Sequence, residues 1–283
     1  MKKILLISFI ISTLAANIVN AQQAWTKQKG KYYTQIGASY LSFNSLINGT
    51  GDLIPLNKTF TDLTIQAYGE YGLTDKLTLS ASLPFRAISS GSTTKANAAK
   101  EGSLSGFSNI PVALTANFYN KNGVVISAKA GIGLPTAKYD APTGLRTGFD
   151  ATTFAPSVLA GFGHAKFFTS GEIGYAIRNN NYSNRYFINW QIGKFLGEKK
   201  KILGIVGVEM MKSLDNGKHD DGNSVLTGFY LDKQSYLSPN FKLGYKATPN
   251  VTTWLSAGFG IGGVTKYVGA TPGISFSISY QND

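Results

Sequence analysis

The sequence predicts an all-β chain closed into an antiparallel transmembrane β-barrel of twelve strands, with short periplasmic turns and longer extracellular loops. Three observations carry that expectation. The composition joins 32 glycines, 15 tyrosines and 17 phenylalanines to only 15% charged residues, which is unusual for a soluble domain and ordinary for a membrane barrel. Apolar and polar residues alternate with a period of two along most of the chain, so each strand has one apolar face. Tight turns alternate with long polar connections, as they do in a barrel with both termini on the periplasmic side.

From the amino end, Lys2 and Lys3 precede an apolar run from Ile4 to Ala16 and the small-residue stretch Val19-Asn20-Ala21. This is the grammar of a secretory signal peptide over residues 1–21. As an uncleaved anchor the run is short, because a spanning helix takes about 20 apolar residues. Residues 22–283 then form one barrel domain. The formal charge of +12 falls to +10 (12 minus 2) without Lys2 and Lys3. An exported chain rarely meets nucleic acid, and no basic run is interleaved with a stacking platform, so nucleic acid is excluded as a partner. Scattered lysines suit anionic outer-membrane lipid. With no cysteine in the chain, cross-links do not hold it together.

The stretch YGEYGLTDKLTLSASLPF (68–85) shows the alternation best. Leu63, Ile65, Ala67, Gly69 and Tyr71 share one face and Thr64, Gln66, Tyr68 and Glu70 the other. After the turn Leu77, Leu79, Ala81, Leu83 and Phe85 oppose Thr78, Ser80 and Ser82. Strands are expected to begin near residues 31, 62, 76, 107, 124, 152, 167, 185, 201, 233, 251 and 272. Pro156 and Pro239 weaken two of them, since proline cannot donate to a ladder. Turns fall at 72–76, 119–123, 163–166, 197–200 and 247–250, and loops at 45–60, 86–105, 135–150, 178–184, 213–232 and 263–271. Tyr40, Tyr71, Phe85, Phe118, Tyr186, Tyr245 and Tyr280 suit aromatic girdles at the two membrane interfaces. A soluble all-β protein could share the alternation, but it would expose Lys and Glu where this chain exposes Leu, Ile, Val and Phe.

If the apolar face meets lipid, the opposite parity lines the lumen: Gln35, Gln66, Glu70, Asn117, Lys129, Glu172, Arg178, Asn189, Gln191, Glu209 and Lys242. Two readings of these residues stand open. They form a paired internal network that holds the barrel in shape, or they screen a passing solute. Gln22 to Gly30 is too short for a plug domain, so a constriction is expected from wall side chains or from an in-folded loop, 86–105 or 213–232.

Catalysis is not expected. A Ser-His hydrolase needs its base beside the serine and oriented by a third group, whereas His164 lies in a turn and His219 in a loop on opposite rims. DNGKHDDGNS (215–224) offers oxygen ligands, but it lacks the glycine at the sixth and the glutamate at the twelfth position of an EF-hand loop. It reads more simply as a solvated loop. No metal or other cofactor is implied.

Three stretches carry a family resemblance: GLTDKLTLSASLPF (72–85), GIGLPTAKYD (131–140) and TPNVTTWLSAGFGIGG (248–263). They resemble the Gly-Leu-Thr-Asp turn and Leu-Pro-aromatic strand ending, the glycine-rich strand ending in Pro-Thr, and the late turn and strand of a family named for the MetA pathway of phenol degradation. The resemblance implies an outer-membrane barrel of a Gram-negative-type bacterium, inserted by the outer-membrane assembly machinery, that moves hydrophobic or aromatic small molecules. It supplies no binding residues. One departure is that Gln281-Asn282-Asp283 follow Tyr280, where such chains commonly finish on an aromatic residue. The residues expected to line a solute path are Gln66, Glu70, Asn117, Lys129, Glu172, Arg178, Glu209 and Lys242; a closed barrel acting through its loops is the alternative.

Overall fold

The computed structural model describes residues 24–48, 52–91, 100–197, 199–260, 268–269 and 273–282; the expected signal peptide lies outside them. Twelve antiparallel strands close on themselves. They are β1 (Tyr32–Ile47), β2 (Leu53–Thr74), β3 (Leu77–Ser90), β4 in two segments (Gly102–Phe107 and Ile110–Lys121), β5 (Val124–Leu134) and β6 (Thr153–Gly163). The second half is β7 (Phe168–Arg178), β8 (Arg185–Leu196), β9 (Ile202–Ser213), β10 (Tyr236–Lys246), β11 (Val251–Gly258) and β12 (Gly273–Asn282). Each strand pairs with the next, and β1 pairs with β12 from Tyr32↔Asn282 to Tyr40↔Ile274. Closure leaves no open sheet edge, which hydrocarbon demands.

Alternation places the side chains as expected. Leu63, Ile65, Leu79, Leu83 and Phe85 are exposed on the outside, while Thr64, Gln66, Thr78 and Ser82 are buried within. A contiguous outer belt of Leu, Ile and Phe is a surface for lipid. The seven aromatics expected in the girdles all point outward, 41 to 63% exposed, and Tyr71, Phe118, Tyr245 and Tyr280 lie near the turn ends of their strands.

Both proline-bearing strands form. Pro156 sits where the β6–β7 ladder is interrupted, between the pairs Ser157↔Gly174 and Phe154↔Ile177. Pro239 sits one residue past the last β10–β11 pair, Asn240↔Gly258. In each case a ladder bond is already missing beside the proline.

Two expectations about the loop end are corrected. β2 begins at Leu53 rather than near 62, so most of 45–60 is strand. With 22 residues β2 is twice the 9–11 or so that a tilted spanning strand needs, and it rises past the membrane with β1. There the inward parity changes character. Leu41, Phe43, Phe60 and Ile88 bury themselves with Leu145 and Phe229 from two loops, so the top of the lumen is filled by packed side chains and not by an open polar passage. Phe43 stacks on Phe60 at 5.5 Å, and Phe229 meets both rings edge-on at 5.5 and 6.1 Å. Burying each such side chain is worth about 1.5–3 kcal/mol, enough to hold the loops inward.

The in-folded segments are only partly those expected. Loop 214–235 descends as foreseen. The other candidate, 86–105, is strand over most of its described residues, with 86–90 in β3 and 102–105 in β4; 92–99 lie outside the described residues. Loop 135–152 takes its place, through a small hairpin pairing Tyr139–Asp140 with Leu145–Arg146.

The short segment before β1 also enters the barrel, although a constriction was expected only from wall side chains or an in-folded loop. The Lys27 N–H donates to Thr78 Oγ1 at 2.7 Å, the Lys29 N–H to Asp75 Oδ1 at 3.0 Å, and Ser127 Oγ donates to the Ala24 carbonyl at 2.6 Å. The segment therefore crosses from the β2–β3 turn to β5. Ala24 is buried with Val125 and Leu159, and Trp25 packs against them. A few extended residues suffice because they lie across the floor of the lumen.

Candidate functional site

Between that floor and the loops lies a cavity of about 430 Å³, within the usual range for small-molecule sites. Trp25 bounds it below, and Phe43, Phe149, Phe229 and Tyr230 above. Gln66, Glu70, Lys129, Glu172, Asn189 and Glu209 form a polar ring, and Ala81, Pro84, Pro111, Ala113, Gly131 and Ala155 a wall of small residues.

Six of the eight residues expected to line a path reach this cavity: Gln66, Glu70, Lys129, Glu172, Arg178 and Glu209. Asn117 does not. β4 bulges against β5 between Asn117 and Tyr119, and the Asn117 amide is spent on the Tyr119 and Ile126 carbonyls, each at 3.1 Å. Lys242 also lies off the cavity wall, half-buried on β10 and electrostatically coupled to Glu209. Internal pairing is partial. Lys129 Nζ meets Glu172 Oε1 at 2.5 Å, and Ser157 Oγ donates to the same oxygen at 2.6 Å. Tyr68 donates to Glu70 at 2.5 Å and Tyr236 to Glu209 at 2.7 Å. Gln66 bonds Ser82, Gln35 bonds Ser277, and Gln191 bonds Ser170.

Of the arginines in the roof, only Arg178 was expected on the inner face. All four arginines of the chain turn inward and lie against aromatic rings: Arg86 is 4.8 Å from the Tyr230 centroid, Arg146 3.9 Å from Tyr139, Arg178 4.9 Å from Phe149, and Arg185 4.4 Å from the same Phe149. Arg86 pairs with Asp62, its Nε 3.2 Å from Oδ1. Arg146 donates to Ser224 Oγ at 2.7 Å and to Tyr182 at 3.1 Å. A signal existed for two of them. Arg185 shares its parity with Asn189 and Gln191, and Arg86 with Thr78, Ser80 and Ser82; each lay just beyond, or at the limit of, an expected strand. Arg146 lies in a loop, where periodicity says nothing.

The ring shared by Arg178 and Arg185 is held by a break in β4. Asn109 stands outside the ladder, its Oδ1 accepting the Phe149 N–H and its Nδ2 donating to the Phe149 carbonyl, both at 2.7 Å. The β3–β4 ladder runs from Leu77↔Ala116 to Ala81↔Val112 and resumes only at Phe85↔Phe107. Pro84 and Pro111 lie in that gap, neither with an N–H to donate, so the small-residue wall has a seam.

Asp232 fixes loop 214–235. Its Oδ1 accepts from Arg178 Nη2 and from the Ser183 N–H, both at 2.8 Å, and its Oδ2 from Ser183 Oγ at 2.9 Å. Burial alone would raise its pKa, but the Ser183 N–H and hydroxyl together with Arg178 outweigh burial and hold it below the ordinary carboxylate value. A depressed native pKa means that this stabilisation is complete above the unfolded value of about 3.9 and is lost as pH falls through the native one. The roof is therefore expected to hold from neutral pH to about pH 4.5 and to loosen only in stronger acid. Tryptic cleavage at Lys218 and Lys233 after brief acid exposure reads this; loosening already near pH 6 would count against it.

Residues 21–278 match the family described as "Putative MetA-pathway of phenol degradation". The chain belongs to that family. Among curated proteins no relative matches it. This member of the phenol-degradation family is similar in structure to the COG4313 outer membrane channel from Pseudomonas putida F1, at 14% identity over 93% of this chain and 100% of that one, with a TM-score of 0.71. It is also similar to the translocator domain of autotransporter NalP from Neisseria meningitidis, at 9% identity over 90% and 89% of the two chains, with a TM-score of 0.53. At these identities the likeness is one of fold, the closed barrel.

The two histidines of this family member keep to turn and loop. His164 lies 5.7 Å from the Phe167 ring, and His219 stacks on Tyr182 at 3.7 Å. In the stretch 215–224, Asp221 is structural, accepting the Asp232 N–H at 2.7 Å.

Proposed function

We propose that the chain is an outer-membrane channel for small, largely apolar aromatic solutes. The observation that carries this reading is the cavity itself, roofed by Phe43, Phe149, Phe229 and Tyr230 and ringed below by Glu70, Lys129, Glu172 and Glu209. An aromatic body finds edge and face contacts above, and a hydroxyl finds acceptors and donors below. The family description and the fold of the Pseudomonas putida channel support the same reading. Transport here is passive. The lining residues act through hydrogen bonds and charge, with no bond made or broken.

Single-channel conductance of the purified protein in a planar bilayer tests this, together with proteoliposome swelling against sugars, amino acids and phenolics. Steady current with swelling that favours phenolics is expected. Silence from heat-modifiable, folded protein would move the function to the loops of a closed barrel. Lys129→Glu replaces the one cation of the Lys129–Glu172 pair and is expected to shift the reversal potential in a salt gradient toward cation preference. Unchanged selectivity in a conducting protein would take Lys129 off the path.

A further inference from the structure

We propose that the roof of the cavity binds the carboxylate of a small aromatic acid. The inference rests on the channel reading and names the class of solute held at this point.

Arg178 and Arg185 face one ring, Phe149, at 4.9 and 4.4 Å, and all three line the cavity. Asp232 neutralises Arg178, and both of its oxygens are already occupied by Arg178 and Ser183. Arg185 makes no ion pair among the described residues. Its Nη1 faces Met211 Sδ at 3.1 Å, and its Nη2 donates to the Leu231 carbonyl at 3.3 Å. Arg185 is 4% exposed and Arg178 7% exposed, yet Arg185 Nε and Arg178 Nη1 are buried donors without an acceptor. The other nearby carboxylates are engaged elsewhere: Glu209 accepts from Tyr236, and Asp221 from the Asp232 N–H.

Two buried guanidiniums thus stand against one ring with a single carboxylate that pairs with Arg178 alone, and Arg185 Nε and Arg178 Nη1 have no acceptor. Such an arrangement is costly until a second anion arrives, and a guanidinium is shaped to receive a carboxylate. What surrounds it selects the rest of the ligand. Phe187, Met211 and Phe229 line the same cavity, and thioether and aromatic surfaces favour an aromatic body over a hydrated ion. A monoanion with a ring uses both features; a bare anion uses one, and a neutral aromatic the other.

The test titrates the full-length protein in nonionic detergent by calorimetry at pH 7.5. The probes are benzoate, benzyl alcohol with the same ring and no charge, and acetate with the same charge and no ring. Saturable benzoate binding is expected, at least tenfold tighter than either control. Arg185→Gln is expected to abolish that advantage and Arg185→Lys, which keeps the charge without the planar fork, to reduce it; heat-modifiable migration verifies that both variants are folded. The proposal is overturned if benzoate does not bind, if both folded variants bind it as the wild type does, or if acetate binds equally well. Planar-bilayer current separates the two readings. Current without benzoate binding removes this inference alone, whereas benzoate binding without current removes the channel reading.

Discussion

Asp232→Ala is expected to release the roof and raise single-channel conductance severalfold, the largest effect of any single substitution in the loops. The carboxylate accepts from Arg178, the Ser183 N–H and the Ser183 hydroxyl, and it is fully buried. Removing it strands the Arg178 guanidinium in a buried site already crowded by Arg185. Breaking one side of a buried pair in this way costs about 3–5 kcal/mol. The barrel keeps its ladder, so the loss falls on loop 214–235. That loop is also held by Phe229 in the apolar cluster, by Arg146 on Ser224 and by the Thr227 hydroxyl donating to the Gly144 carbonyl at 3.1 Å, none of which replaces the buried ion pair. Asp232→Asn retains acceptor capacity without the charge and is expected to fall between the two. Faster tryptic cleavage at Lys218 and Lys233 should accompany the rise in current. Wild-type conductance and protease resistance in Asp232→Ala would show that the apolar cluster and the loop's other hydrogen bonds set the roof without the ion pair.

How far the sequence could lead to this site follows from what parity can and cannot encode. Within the membrane the environment is two-valued, lipid outside and lumen inside, so alternation alone placed Gln66, Glu70, Lys129, Glu172 and Glu209 on the inner face. Past the membrane the rule changes. Leu41 and Phe43 hold lumen parity but are buried in a core, because there the inside is filled by folded loops instead of solute or water. Their apolar character at inward positions was visible as a break in alternation, and it marks where β1 leaves the bilayer. Arg146, Phe149 and Asp232 lie in segments with no period, so only tertiary contacts bring them together. Asn109 shows the same limit. Its position in a strand-like stretch gives no sign that it steps out of the ladder to hold Phe149. The floor escapes the sequence for a different reason: length is a poor measure of a plug, because an extended segment spans about 3.3 Å per residue and a few residues therefore cross a narrow lumen.

That floor yields the second large effect. Gly161→Val is expected to lift Ala24 and Trp25 off β6, because a Cβ at residue 161 would stand 2.7 Å from Trp25 Cη2 and 3.1 Å from Ala24 Cβ. The indole tip could swing away, but Ala24 Cβ moves only with its backbone, which breaks the Ser127 to Ala24 hydrogen bond. The remainder of the segment, tied to Thr78 and Asp75, stays in place. Floor and roof obstruct the same lumen in series, so their resistances add. Gly161→Val alone therefore raises conductance while the roof still limits it, and the gain in the double variant with Asp232→Ala exceeds the sum of the two single gains. Distant, independent sites are otherwise additive in free energy, so an excess in current with no excess in thermal destabilisation identifies the series arrangement. A double variant that conducts no better than Asp232→Ala alone would mean that ions already bypass the floor, and Trp25 would then be a wall residue of the cavity and not a barrier beneath it.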